Sequence, residues 1–169
     1  MLDSVVLIGM PGSGKSTVGV LLAKELRLEF VDTDLLIQTR TGRALQEILD
    51  EDGIPGFLRI EEETLLDFSS KGMVVATGGS VVYSEPSMGH LARSGVCVYL
   101  DCSVEVLEGR LSNLDSRGVV RAPGQTVAQL HAERDPLYRR WAQVVVDNGH
   151  DDHGKVVREI RDRLSSLPM

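Results

Sequence analysis

Short, nearly continuous runs of β-branched residues alternate with longer stretches of helical periodicity, and this alternation predicts an α/β fold. A sheet read from such runs is parallel and buried on both faces, because alternating polar positions are missing from its strands. Two further observations support the prediction. A glycine-rich turn joins the first apolar run to the first helical stretch, and aromatic residues make up only 4% of the chain, so the core must be aliphatic.

Taken in order, Val5-Val6-Leu7-Ile8 is the first buried strand and residues 15–26 the first helix. A second strand covers 28–31. Helices are expected over 45–50 and 57–70, the latter ended by Gly72, after which Met73-Val74-Val75-Ala76 forms the third strand. Residues 96–100 give the fourth strand, 104–111 a helix, 126–141 a longer helix, 144–146 the fifth strand and 153–164 the last helix. Residues 112–125 stand apart: they are polar, contain Pro123, Gly118 and Gly124, and include Arg117 and Arg121 without helical periodicity. A long polar loop inside a compact domain is usually functional, and its arginines favour a lid.

The 169 residues suit one domain, 1–169, and no linker or repeat divides them. A net charge of −7 argues against a nucleic-acid partner, which asks for a basic face. No apolar run reaches membrane-spanning length, and the first residues have neither the basic start nor the apolar run of a leader. Cys97 and Cys102 form no CxxC pair and are expected as reduced thiols. The expectation is a cytoplasmic monomer that needs neither membrane nor nucleic acid.

The chemistry begins at Gly9-Met10-Pro11-Gly12-Ser13-Gly14-Lys15-Ser16, which matches GxxxxGK[ST] between a strand and a helix. Glycines let successive backbone N–H groups turn inward around a phosphate chain, and the helix N-terminus adds positive potential. Lys15 is expected on the β- and γ-phosphates and Ser16 on Mg²⁺, with Gly12, Ser13, Gly14 and Thr17 completing the ATP-binding set. Asp32-Thr33-Asp34 follows the second strand at its carboxyl end, where open α/β sheets bind ligands. Two carboxylates so spaced can divide their work, one toward a metal's water shell and one toward the proton of an attacking hydroxyl. A helix N-cap is the competing reading for such aspartates.

The phosphate loop, Asp32-Thr33-Asp34, Phe57 followed by Arg59-Ile60-Glu61, Gly78-Gly79 after Ala76-Thr77, the lid arginine and Glu133-Arg134-Asp135-Pro136-Leu137-Tyr138 together resemble the shikimate kinase family over nearly the whole chain. That resemblance implies a three-layer P-loop kinase fold with a five-stranded parallel sheet, a substrate-binding helical segment about 34–70 and a mobile lid about 112–125. It implies transfer of the ATP γ-phosphoryl to a hydroxyl of a small carboxylate metabolite, nominally shikimate, with Mg²⁺ as cofactor. Among its implied roles, Lys15, Asp34 and Arg117 are catalytic, and Ser16 and Asp32 serve Mg²⁺. Asp34, Gly79 and Arg134 bind the acceptor, while Arg110 lies against adenine and Arg117 also contacts ATP.

The chain departs from the family pattern at three places. Leu58 stands where the family has an arginine that binds the acceptor carboxylate, Ser80 where it has a third glycine, and Gly118-Val119-Val120 where it has Pro-Leu-Leu. The departures gather on the acceptor side and the lid. They leave open a kinase for another hydroxy acid, such as homoserine, or a catalytically weak nucleotide-binding protein. A regulatory GTPase is disfavoured, since no NKxD box is present. For the smaller signals, His150-Asp151-Asp152-His153 reads as a polar turn opening the last helix, with nucleotide contact as its functional alternative. Residues 61–63 read as mostly a solvated face, although Glu61 matches a family position and is a candidate tether for Arg59 or the substrate helix; Arg134, taken alone, reads as a solvated face too.

Overall fold

The computed structural model describes residues 4–112 and 118–167. Its sheet has five parallel strands, β1 (Val5–Ile8), β2 (Glu29–Asp32), β3 (Met73–Ala76), β4 (Val96–Asp101) and β5 (Val144–Asp147), in the order β2-β3-β1-β4-β5. The helices are α1 (Lys15–Leu26), α2 (Thr33–Thr41), α3 (Leu45–Leu66), α4 (Glu85–Ser94), α5 (Val104–Arg110), α6 (Val127–Trp141) and α7 (His153–Ser165). No described helix is long and apolar enough to cross a membrane.

Side chains alternate across each strand, so β1 divides its four apolar residues between two cores. Val5 and Leu7 pack with Val18 and Leu22 of α1 and with Val156 and Ile160 of α7. Val6 and Ile8 face Met88 and Leu91 of α4, Leu107 of α5, and Leu130 and Tyr138 of α6. A third, smaller cluster joins Ile37 of α2, Ile48 and Phe57 of α3, and Val120, away from the sheet.

The structure revises several expected elements. α3 carries the helices expected over 45–50 and 57–70 as two limbs that meet at a break at Gly53, whose φ of 69° and ψ of −178° lie outside helical geometry two residues before Pro55. It stops at Leu66 rather than at 70. Two helices escaped the element-by-element reading. Ser84 caps α4 through the Ser87 N–H and Pro86 sits in its first turn, yet its ten residues bury only Ser87, Met88 and Leu91, too few for a clear period. The periodicity did not mark α2, which lies within the helical segment about 34–70 that the family resemblance implied. β2 is shifted by one residue, so that Asp32 closes the strand and caps α2.

Where β4 begins, backbone meets backbone. A Cβ on Gly95 would stand 2.2 Å from the Ser4 carbonyl oxygen, which also accepts the Val96 N–H. Gly95→Ala is expected to destabilise the fold by about 2 kcal/mol, read as a lower urea midpoint with an unchanged m-value.

Candidate active site

All five strands run the same way, so their carboxyl ends share one edge, and the loops leaving that edge build a cleft of about 570 Å³. Its floor is the turn from β1 into α1. Gly9, Gly12 and Gly14 hold φ values of 149°, 78° and 92°, conformations open to glycine at little cost. Lys15 folds back over this turn, and its Nζ donates to the carbonyls of Gly9 and Met10 at 2.8 Å each. Burial lowers its pKa to about 8, against the opposing pull of Asp34.

Ser16 and Asp32 meet beside the loop, the Ser16 hydroxyl donating to Asp32 Oδ2 at 2.5 Å. Asp32 Oδ1 accepts the Asp34 N–H at 2.9 Å. Asp32 is therefore both an N-cap and an oxygen donor next to the phosphate loop, and the two readings of its motif coexist. A hydroxyl and a carboxylate side by side are the hard oxygen donors that suit Mg²⁺. Asp34, the second residue of α2, lines the cleft, where burial and then Asp32 push its carboxyl up to about 6.

Opposite Asp34, β3 is followed by Thr77-Gly78-Gly79. Thr77 donates through both N–H and hydroxyl to the Leu7 carbonyl, and the Gly78 N–H donates to Thr33 Oγ, which ties this turn to β1 and α2. Arg134 closes the acceptor end from α6. Its guanidinium is 1% exposed, which overturns the solvated-face reading. Its Nε donates to Tyr83 Oη at 3.0 Å, its Nη2 to the Val120 carbonyl, and it stacks 5.0 Å over the Tyr83 ring. Tyr138 donates to the Gly79 carbonyl at 2.6 Å and stacks on Tyr99.

The cleft thus gathers Gly12, Gly14, Lys15, Ser16, Thr17, Asp34, Gly79, Arg110 and Arg134. Ser13 lies buried beneath the loop rather than on the cleft wall, and Arg117 lies outside the described residues. Arg110 reaches the Gly12 carbonyl at 3.3 Å and the Asn148 carbonyl at 3.1 Å. Asp151 and His153 line the far end, where Asp152 caps α7 as the sequence suggested.

Sequence reasoning missed Asn148. Fully buried after β5, it donates through Nδ2 to the Ser13 carbonyl at 2.6 Å and leaves no room for a Cβ on Gly14. Its only signal was an amide at the carboxyl end of the last strand. Glu61 is 2% exposed and bonded to Ser80 rather than to Arg59, so the solvated-face reading fails at this position. Away from the cleft, Asp101, His131 and Asp135 approach one another, but Arg139 already pairs with both carboxylates.

The comparisons with known proteins agree with this geometry. The family model described as shikimate kinase matches residues 11–165. The chain belongs to the shikimate kinase family. A shikimate kinase of Pseudomonas fluorescens is 42% identical, with 99% of each chain covered, and one of Aromatoleum aromaticum is 38% identical over 96% of this chain and 95% of that protein. Among solved structures, shikimate kinase from Acinetobacter baumannii in complex with shikimate superposes with a TM-score of 0.91 at 32% identity, covering 98% of this chain and 94% of that one. The Aquifex aeolicus enzyme gives 0.83 at 32% identity, with 96% of both covered. The chain is accordingly an ATP-dependent small-molecule kinase that phosphorylates a hydroxyl, on a P-loop kinase fold.

Asn148→Ala is expected to raise KM for ATP about tenfold, since removing a buried donor frees the Ser13 carbonyl and loosens the phosphate loop. Steady-state kinetics with varied ATP check this, and the acceptor KM should move far less.

Proposed function

We propose that the chain transfers the γ-phosphoryl of ATP to a hydroxyl of shikimate, with Asp34 as the base. The observation that supports this best is the placement of Asp34 in the cleft beside Lys15, with Arg134 on the same wall as Gly79. Lys15 and the inward N–H groups of the loop hold the phosphates and neutralise charge that develops during transfer. Mg²⁺, which Ser16 and Asp32 are suited to hold, would offset charge on the phosphate oxygens.

Arg134 holds the acceptor carboxylate, and the Gly79 backbone and Asp34 orient the hydroxyls. Asp34 takes the hydroxyl proton as the acceptor oxygen bonds to the γ-phosphorus. The bond from that phosphorus to the β–γ bridging oxygen breaks, and ADP leaves with the electron pair. Arg110 borders the adenine, and Arg117 brings a positive charge over the transferred group from the lid. The reaction belongs in the cytoplasm, where the free thiols Cys97 and Cys102 stay reduced.

Leu58 gives this site its particular character. It packs against the Ile37, Ile48, Phe57 and Val120 cluster and offers no charge, so Arg134 is left as the principal cation for the carboxylate. A coupled ADP-release assay with ATP, Mg²⁺ and shikimate is expected to show turnover, with homoserine as the control that a redirected acceptor site would favour. Lys15→Ala should abolish transfer, and Asp34→Asn should lower kcat by about 10²–10⁴-fold. Leu58→Arg should lower KM for shikimate about tenfold or more; no gain would mean that the carboxylate is held elsewhere.

A further inference from the structure

The acceptor side contains a carboxyl that this reaction does not use. Glu61, on the second half of α3, is 2% exposed, and its only hydrogen-bond partner among the described residues is the Ser80 hydroxyl, at 2.8 and 3.1 Å from its two oxygens. A Cβ on Gly78 would lie 2.8 Å from Asp34 Oδ1 and 2.9 Å from Glu61 Oε2, so those oxygens are less than about 6 Å apart. On the next residue, a Cβ on Gly79 would lie 3.0 Å from Arg134 Nη1. Two adjacent glycines therefore bring Asp34, Glu61 and Arg134 around one turn. No ion pair joins Glu61 to a cation among the described residues.

The groups that face Glu61 are Asp34 from α2, Ser80 from the turn after β3, and Arg134 and Tyr138 from α6. Burial pushes the Glu61 carboxyl up to about 7; the Ser80 hydrogen bond works against this, Asp34 adds to it and Arg134 opposes it. Two carboxyls this close in a buried site do not ionise independently.

We propose that Glu61, held by Ser80, is a positioning residue that sets acceptor specificity: its charge decides how strongly Arg134 holds an anionic acceptor. This rests on the assignment of Arg134 to the acceptor carboxylate. With a proton on Glu61, the Arg134 charge faces the cleft unopposed from that side. When the proton leaves, a negative charge beside Arg134 cancels part of its field, and a carboxylate is held less tightly. Glu61 does not line the cleft, so it reaches the acceptor through Arg134, while its coupling to Asp34 shifts the pH profile of kcat without removing the base. Ser80, which does line it, stabilises the ionised form and lowers the pH at which the grip weakens.

The test is the pH dependence of KM for shikimate and of kcat in the parent, Glu61→Gln and Ser80→Ala. In the parent, KM should rise about three- to tenfold as pH passes through neutrality. Glu61→Gln should keep the low KM across the range with the plateau value of kcat little changed, and Ser80→Ala should move the rise to higher pH. A Glu61→Gln enzyme that retains the parental pH dependence, or loses kcat while KM stays the same, overturns the proposal. Carbon-13 titration of the Glu61 carboxyl reads the same group without any acceptor. Its midpoint should lie well above the ordinary glutamate value of about 4.3 and higher still in Ser80→Ala; an ordinary midpoint overturns the proposal. A parent inactive on shikimate at every pH overturns the acceptor assignment and this inference with it, whereas turnover with a KM indifferent to Glu61 overturns this inference alone.

Discussion

The site depends on keeping one short stretch of backbone turned inside out. Between β1 and α1 the N–H groups must face the cleft and the carbonyls must face the protein, the reverse of what water would favour. Three side-chain donors answer those carbonyls: buried Lys15 at Gly9 and Met10, half-buried Arg110 at Gly12 and buried Asn148 at Ser13. They come from α1, from the end of α5 and from the end of β5, so the loop's shape is fixed by the whole carboxyl edge of the sheet. A parallel sheet supplies that edge without further design, because every strand delivers its following loop to the same side.

The phosphate half was legible because its requirements are local. A glycine needed for positive φ, a lysine one position on and a serine after it form a pattern that survives in one dimension. Asp32 and Asp34 were legible for the same reason, and the structure gives Asp32 both roles that the sequence allowed. The strands were readable from apolar runs, with β2 displaced by a residue because Asp32, a poor strand former, closes it. The break inside α3 was legible because Gly53 and Pro55 stand two residues apart, and Gly53 does leave helical geometry there; by contrast, α4 buries little of its length.

The acceptor half was harder to read because burial of a charge is a property of the assembled molecule. Arg134 and Glu61 sit in charged local sequence and would suit a wet surface. They are buried because Tyr83, Ser80 and Val120, each remote from them in sequence, complete their hydrogen bonds. Asn148 was invisible for the same reason: nothing near it in sequence announces that its amide will meet a loop 135 residues earlier. The family resemblance supplied Arg134 and identified Leu58 and Ser80 as departures. Only the structure explains how Ser80 is used.

The small cluster of Ile37, Ile48, Phe57 and Val120 gives the acceptor wall a core of its own, separate from the two cores that clasp the sheet. Such a unit can open and close as a sub-global event while the sheet and its nucleotide loop stay folded. Mutational change in this wall is therefore confined in its effect. Leu58 adds to the cluster's packing and costs the sheet nothing, so an acceptor preference can drift here while the phosphate machinery stays intact. The molecule thus joins a phosphate engine built on the sheet to an acceptor socket packed on a core of its own.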